Sequence, residues 1–532
     1  MTKAKKALAL LLSLATMASL VACSSSSDST ESTTTSTTTA TDGAVILNIA
    51  AEIIGEGLDH TYDWNSWTDV RYGVTETLTR FAQDGSLEPW LAESWESNDE
   101  ATVWTFKLRE DVCFSNGTPM TATKVKDSIE YLYTVTDVDN GGKGYPQAYF
   151  TYTSIEADDE AYTVTITSDS PIIDMLGCMG YPWMCIVDTD GIEDRDLQVE
   201  GPIGTGPYVV THYEKANILE LAANENYWDG DVHYDVINAV YISDAKTRAL
   251  ALMDGSADLS FNITQADRTT LEASGISVEI AAGSRIGNSY FNQDGPLGNQ
   301  TLRQAVLMAI DGPAIAEVTS SGSYVYDYSV VPTSYAFGGS ELVFPYDYDP
   351  DAAMALLDDA GIVDTDGDGW RELDGEKITL NYVASNFRYM DVIPQAHMAL
   401  IEAIGVDVNL TPTDGHFEIL YNKDFDIIVN SEVTLPTGDP QQFLGRWYGA
   451  DGNYSDYSNA EYDALYQTLR ATVDTDERVD IIGDLQQILI DDAATMVWGF
   501  YGSNVCYTEN VTDVVASTSD YYWVTKDTKP AN

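Results

Sequence analysis

The chain is poor in positive charge and in histidine. It has 26 Lys and Arg against 85 Asp and Glu, a formal net charge of −59 over 532 residues, and only five histidines. Binding by neutralisation of nucleic-acid phosphates is therefore excluded, and an anionic bilayer surface repels the folded part. The scattered histidines leave little material for a metal centre or a histidine-based triad.

The short motifs of the common enzyme classes are also missing. The sequence has no GxxxxGK[ST] phosphate loop, no GxSxG nucleophile elbow and no HExxH zinc motif. Carboxylates are numerous enough to supply a glycosidase-like pair, so a surface-anchored hydrolase stays open as an alternative. With 44% hydrophobic and 11% aromatic residues, the chain predicts large buried cores rather than disorder.

Long apolar stretches are absent apart from one at the start. Lys3, Lys5 and Lys6 precede the uncharged residues 7–22, a run shorter than the ~20 residues that span a bilayer. This layout predicts a signal peptide over 1–22. It ends in LVAC at 20–23, which resembles the bacterial lipobox and implies a lipid anchor on Cys23.

Residues 23–43 are predicted to form a flexible, lipidated tether. Ser and Thr fill 15 of the 18 positions 24–41, and such a segment cannot bury enough surface to become ordered. The folded body is then expected from Val45 onward, outside the cytoplasm and beside the outer face of the cell membrane.

Cysteine is scarce in the predicted folded body. Cys113, Cys178, Cys185 and Cys506 allow three pairings, of which Cys178 with Cys185 would close a small loop. Buried free thiols are the alternative. No CxxC or Cys/His zinc spacing is present.

Strand and helix patterns alternate along the body, which predicts an α/β or α+β fold. Helices are predicted at 121–134, at 301–310, between the Asp349-Pro350 start and Gly361, and from Asn459 onward. Strands are predicted at 45–50, 103–108, 162–166, 276–280, 378–382, 406–410 and 425–429. No internal repeat or second linker is visible, so the domains are expected to be interleaved or tightly packed.

One acidic run carries possible metal chemistry. Asp364, Asp366 and Asp368, followed by Gly369, match the first half of an EF-hand loop, in which alternate oxygens surround calcium. The twelfth position, where a bidentate Glu belongs, is Gly375. The alternatives are a structural calcium site and a plain acidic turn.

Seven motifs together resemble those of the family 5 extracellular solute-binding proteins of ABC importers. The motifs are LEPWLAESW at 87–95, WTFKLR at 104–109, FSNGTP at 114–119, GTGPY at 204–208, NENYW at 224–228, RQA to AID at 303–311, and YDP to AG at 348–361. They occur in the family's order. Each is weak alone, and the combination is specific.

The resemblance implies an α/β, two-lobed periplasmic-binding-protein fold, type II and of the large three-domain variety, with a two-strand hinge. Lobe I would comprise residues 45–283 and 499–532, with a subdomain at about 76–200. Lobe II would comprise residues 284–498. Two crossings between lobes fit the absence of a second linker.

Ligand contacts are expected where the two lobes face each other. Aromatic side chains bury a ligand without demanding one sequence, and a few charges fix its ends. The candidate residues are Tyr62, Trp64, Trp67, Arg285, Tyr290, Glu432, Asp439, Arg446, Trp447 and Tyr448. Most aromatic residues of the motifs, such as Trp104 and Trp228, are expected in the core.

The substrate class follows less directly. Peptide binders of this family usually place an Asp against the ligand's ammonium group just before a Gly-Asp-Pro turn, but here the matching place falls near Pro436. Nickel-chelate binders use an arginine for the chelator's carboxylates, and the corresponding stretch 180–184 has none. A peptide or other small cationic ligand is the first expectation, and a nickel or metal chelate is the second.

The resemblance implies a binding protein without catalytic residues or a resident cofactor. Its expected partners are the solute and ABC permease subunits, with the membrane reached only through the lipid, and the chain is expected to be a monomer. A surface adhesin or ligand-sensing lipoprotein that meets no permease is a further alternative.

Overall fold

The computed structural model describes residues 43–62, 64–82, 85–137, 146–320, 323–339, 341–385, 389–413, 415–449, 453–514 and 516–531. All elements below belong to one compact unit, Val45–Asn532. The other unit, Met1–Ala44, lies almost wholly outside the described residues, and with it the predicted signal peptide and Cys23.

Strands and helices alternate along the described chain. The strands are β1 Ile46–Ala51, β2 Thr79–Phe81, β3 Leu87–Pro89, β4 Ala92–Ser97, β5 Val103–Leu108, β6 Ser154–Asp158, β7 Thr163–Thr167, β8 Tyr208–Glu214, β9 Ile218–Ala223, β10 Val236–Tyr241, β11 Leu259–Phe261, β12 Ser277–Phe291, β13 Tyr324–Val325, β14 Glu372–Leu373, β15 Glu376–Lys377, β16 Thr379–Ala384, β17 Asp407–Pro412, β18 Ile427–Val433, β19 Thr495–Tyr507, β20 Val511–Thr512 and β21 Lys529–Pro530.

The α-helices are α1 Asn65–Arg71, α2 Ala122–Thr136, α3 Met175–Gly180, α4 Leu197–Glu200, α5 Ala245–Asp254, α6 Gln265–Ala273, α7 Gln300–Ala309, α8 Gly312–Ala314, α9 Pro350–Asp359, α10 Ile393–Glu402, α11 His416–Asn422, α12 Gln441–Tyr448, α13 Ala460–Ala471 and α14 Thr475–Asp491. A short π-helix, Ile315–Thr319, follows α8. No described helix is long and apolar enough to cross a membrane.

One large mixed sheet organises the unit. Its order is β17-β16-β18-β12-β19-β11-β1-β10-β9-β8, with β13 added on β19. The long antiparallel strands β12 and β19 lie at its centre and pair from Ser277↔Tyr507 to Tyr290↔Thr495. The register shifts twice, between Ala282 and Arg285 and between Gly287 and Asn288, so the pair bends between two hydrophobic cores.

The two ends of the β12–β19 pair belong to different cores. The end of β19, which pairs with the first half of β12, continues the sheet to β11 and β1. This side of the sheet contributes to one core, which contains Leu47, Ile237 and Val505. The second half of β12 pairs with β18 from Arg285↔Val433 to Phe291↔Ile427. Phe291 and Ile427 belong to a separate core with α7, α9 and α10.

A second, smaller sheet has the order β4-β5-β7-β6 and is antiparallel throughout. Trp104, Phe106 and Leu108 alternate as the buried side of β5, as predicted, and α2 packs Val125 and Ile129 on that face. This sheet has a core of its own.

The helix predictions agree with the structure. Thr121 caps α2 by accepting from the Lys124 N–H, and Asp349 caps α9 with Pro350 in its first turn. Gly361 follows α9 with φ +76°, a left-handed conformation that favours glycine. The strand predicted at 276–280 covers only the first third of β12. The remainder is not predicted because it is rich in polar residues, whose side chains are hydrogen-bonded in the folded chain.

Candidate functional site

A group of aromatic rings gathers around α1, and we call Trp64, Trp67, Phe81, Tyr149, Tyr181, Trp183 and Tyr521 the aromatic wall. Trp67 is buried, while Trp64 is 39% exposed. The ring centroids of Trp64 and Trp67 lie 4.8 Å apart, and those of Trp67 and Tyr181 lie 4.9 Å apart. Tyr521, from the C-terminal segment, lies 5.7 Å from Tyr181. The wall joins segments far apart in sequence.

Tyr62, the remaining predicted residue of this loop, is 52% exposed. Sequence reasoning missed Phe81, Tyr149, Tyr181, Trp183 and Tyr521. The signal that could have found three of them is the density of aromatics in 181–183 and 521–523.

A charged pair faces this wall from the other predicted lobe. Arg446 on α12 forms an ion pair with Glu432 at the end of β18. Burial raises the pKa of Tyr149 to about 12 and also raises that of Tyr181, and the Arg446 guanidinium opposes both shifts. The Nε of Arg446 is buried without a hydrogen-bond partner in the described chain. A positive, incompletely satisfied group therefore lies beside the aromatic wall.

Glu432 is held by several donors. Besides Arg446, it accepts from the Trp447 indole N–H, from Asn430 Nδ2 at 3.1 Å and from the Tyr290 hydroxyl at 3.5 Å. These donors orient the Glu432 carboxylate, and the Arg446–Glu432 ion pair is therefore held in one orientation.

Three predicted contact residues are packed inside a core. Tyr290 and Trp447 stack with centroids 3.4 Å apart, and with Tyr448 they are at most 1% exposed. Tyr290 and Trp447 hydrogen-bond to Glu432, and a solute would reach the three rings only if this core moved. Sequence alone cannot distinguish such a core aromatic from a wall aromatic.

Arg285 and Asp439 are also placed by ion pairs. Asp520 accepts from Arg71 at 2.9 Å and from Arg285 at 3.4 Å, so one carboxylate joins α1, β12 and the C-terminal segment. Asp439 binds Arg478 through its Oδ2 at 2.7 Å, and its Oδ1 accepts from the Gln441 N–H at 2.8 Å. Asp439 therefore holds the start of α12.

The loop 434–440 touches the N-terminal end of α3. The Thr437 hydroxyl donates to Asp174 Oδ2 at 2.6 Å, and the Tyr521 hydroxyl donates to the Pro436 carbonyl at 3.1 Å. Burial, together with nearby Asp439, raises the pKa of Asp174 to about 6. Neither Asp174 nor Thr437 carries a sequence signal, because the contact joins segments more than 250 residues apart.

The described thiols are all free. Cys178, Cys185 and Cys506 are buried, and Cys113 is half-buried. The small loop between Cys178 and Cys185 is not closed. Burial raises the pKa of Cys185 to about 12 and that of Cys178 well above its ordinary value, so neither is a reactive thiolate.

The acidic run brings together a set different from the predicted one. Carboxylate oxygens of Asp364, Asp366 and Glu372 lie within 4.8 Å of one another. Asp368 is not part of this group and accepts instead from the Trp370 N–H at 2.8 Å. Glu372 comes near because its N–H donates to the Val363 carbonyl at 3.1 Å and its Oε2 accepts from the Thr365 N–H at 2.8 Å. Calcium binding here stays a prediction.

The architecture is that of a two-lobed periplasmic binding protein. The NikA protein of Staphylococcus aureus, solved in complex with Ni(L-His)2, has a TM-score of 0.78 at 22% identity, covering 91% of this chain and 100% of its own. The oligopeptide-binding protein AppA of Bacillus subtilis, solved with a nonapeptide, has a TM-score of 0.79 at 19% identity, covering 92% and 100%. These likenesses establish the fold.

The chain belongs to the bacterial extracellular solute-binding proteins, family 5, whose middle-region model matches residues 86–455. A relative is the probable D,D-dipeptide-binding periplasmic protein DdpA of Escherichia coli K12, 25% identical over 460 residues, covering 82% of this chain and 84% of the relative. The nickel-binding protein NikA of Staphylococcus aureus is 25% identical over 420 residues, covering 78% and 81%.

Family membership confirms the predicted class. Proteins of this family are extracytoplasmic, bind solutes for ABC importers and are not enzymes. The chain is accordingly a transport component whose site binds rather than converts its ligand.

Proposed function

We propose that the chain captures a short peptide between two closing lobes and delivers it to the permease of an ABC importer. Lobe I comprises residues 45–283 and 499–532, with a subdomain at about 76–200, and lobe II comprises 284–498. The β12–β19 pair, which passes from one core to another, supports these limits. The separate sheet and core at β4–β7 support the subdomain.

The observation that carries the peptide assignment is the Arg446–Glu432 pair beside the aromatic wall. A short peptide ends in a carboxylate, which can meet the Arg446 guanidinium through its Nε, unpartnered among the described residues, while Glu432 holds that guanidinium in place. Charged hydrogen bonds of this kind contribute about 1.5–3 kcal/mol each. Aromatic rings around the pair accept varied side chains without a fixed shape.

A nickel chelate is the second candidate, and one observation favours it. Arg446 supplies the arginine that stretch 180–184 lacks, so it could hold a chelator's carboxylates. A bare nickel ion is less suited. Among the described residues, one group offers three carboxylate, thiol or imidazole ligands at metal-binding spacing, and it consists of the exposed Asp364 and Asp366 with the half-buried Glu372. Nickel would have to bring its own ligands.

The anchoring part of the proposal rests on the sequence. Residues 1–22 act as the signal peptide, Cys23 carries the lipid, and 23–43 tether the lobes beside the outer face of the cell membrane. The protein works there as a monomer beside its permease.

The test begins with the ligand that the cell itself supplies. Protein purified from its own host is weighed by native mass spectrometry, and the ligand is released and identified by fragmentation. Peptide masses are the expected result. A nickel complex would replace the peptide assignment with the chelate, and turnover of a labelled peptide or glycan would overturn the binding role.

Variants then locate the site. Titration calorimetry with tri-alanine and with Ni(L-His)2 compares the parent protein with Arg446→Gln and with the control Arg470→Gln, which removes the same charge at an exposed position of α13. R446Q is expected to lose about 10- to 100-fold in affinity for tri-alanine, while R470Q keeps it. Equal affinity of R446Q and R470Q would remove Arg446 from the site.

A further inference from the structure

The loop 434–440 and the helix α3 make an unusually close backbone contact. A Cβ atom placed on Gly177 would lie 2.8 Å from Thr437 Cα and closer still to its carbonyl carbon and oxygen. Real Cβ atoms do not approach other atoms below 3.0 Å. Any side chain at position 177 would therefore push the loop away.

The helix itself does not call for glycine at this position. Gly177 is not among the glycines with positive φ, and alanine is the better helix former. The contact with Thr437 is what accounts for glycine here, and that contact joins the two lobes.

Asp174 lies at the same contact and is charged when exposed to water. Under the loop it accepts from Thr437, and it faces Asp439 and Arg478 of lobe II. Within lobe I, the Cys178 thiol hydrogen-bonds to it, and the Tyr149 hydroxyl is close enough to feel its charge. The carboxyl is therefore buried beside a like charge that Arg478 only partly offsets.

We propose that the loop 434–440 and residues 174–177 form a latch that holds the lobes closed, with Gly177 providing the fit and Asp174 coupling closure to uptake of a proton. The latch acts whatever solute is bound, so it is independent of the peptide assignment.

The direction of the pH effect follows from linkage. Closure raises the pKa of Asp174 from its ordinary 3.8 to about 6, so this contribution is fully present below the open-state pKa and is lost as pH rises through the closed-state value. The closed form is expected to be about tenfold more favoured at pH 5 than at pH 7.5.

Hydrogen exchange of the ligand-free, full-length protein measures closure directly. Protection factors for 174–180 and 434–440, corrected for intrinsic exchange, are compared at pH 5.0 and 7.5. Gly177→Ala is matched with Gly483→Ala in α14, where an added Cβ meets no atom within 4 Å. G177A is expected to lose tenfold or more of this protection at pH 5.0, and G483A none.

Two further variants separate the parts of the latch. Asp174→Asn mimics the protonated acid, so its protection is expected to be high and equal at both pH values. Thr437→Val removes only the hydroxyl donor and is expected to lower protection without unfolding the chain. The latch is refuted if G177A and T437V both keep parental protection, and the proton link is refuted if D174N keeps the parental pH dependence.

Discussion

His397 illustrates how burial fixes protonation in this protein. The ring is 1% exposed, and its Nδ1 lies 2.8 Å from the Tyr382 hydroxyl. Ser289 joins the same chain of hydrogen bonds and accepts from the Trp498 indole N–H at 2.9 Å. Burial lowers the pKa of His397 from 6.5 to about 3, so the ring is neutral in the folded chain.

Acid is therefore expected to weaken the fold through His397. Between pH 6.5 and 3 the histidine of the unfolded chain binds a proton that the native ring does not, so the free energy of unfolding falls as pH decreases. From pH 7.5 to 5 it is expected to fall by about 2 kcal/mol. Urea unfolding at both pH values compares the parent with His397→Gln and with His233→Gln, which is exposed. H397Q should flatten the pH dependence and H233Q should not; a parental dependence in H397Q would contradict the assignment.

Individual residues of the site could be predicted only in part. Trp64, Glu432 and Arg446 stand out in sequence as aromatic or charged residues in loop-like stretches, and the structure brings Arg446 and Glu432 together. Tyr521 could not be predicted, because its place beside Tyr181 depends on a return of the chain from its far end. Trp447 has the same chemistry but packs inward.

At the scale of elements, residues of the motifs hold separate segments together by hydrogen bonds. Glu76 is fully buried and accepts from Trp228 Nε1 at 2.8 Å, Thr205 Oγ1 at 2.9 Å and the Tyr227 hydroxyl at 3.0 Å. It thereby ties GTGPY at 204–208 and NENYW at 224–228 to the segment before β2. Burial, opposed by these hydrogen bonds, raises the pKa of Glu76 to about 7.

Removing the Glu76 carboxylate should destabilise the fold. Glu76→Ala leaves three donors without their acceptor, one of them buried and two half-buried, and is expected to lower the free energy of unfolding by about 3 kcal/mol. Glu76→Gln keeps the shape and should cost less. Chemical denaturation measures both against the exposed control Glu225→Ala. If E76A were as stable as E225A, the three hydrogen bonds would not matter for the fold.

The central strands show why a pattern of apolar residues falls short. Apolar residues alternate with Ser277 and Glu279 over 276–280 and predict the start of β12, but the remainder of the strand contains Arg285, Asn288 and Ser289. Those polar side chains are hydrogen-bonded where the strand passes from one core to the next. A long strand between two cores therefore looks like a short strand followed by a loop.

At the scale of the whole molecule, one sign of charge dominates. A net charge of −59 favours solubility, but it also makes carboxylates repel one another in the compact state. Ion pairs such as Arg71–Asp520 and Arg478–Asp439 are local exceptions in the interior.

Screening this repulsion should stabilise the folded protein. The Debye length falls from about 30 Å at 0.01 M to about 10 Å at 0.1 M salt, so distant carboxylates cease to interact while the buried pairs are little affected. The melting temperature at pH 7.5 is therefore expected to rise by about 3 °C or more between 10 and 300 mM sodium chloride. Choline chloride at equal ionic strength is the control, because screening is common to both salts whereas specific sodium binding is not. A melting temperature that stays constant or falls in both salts would mean that the surplus of negative charge does not limit the stability of this fold.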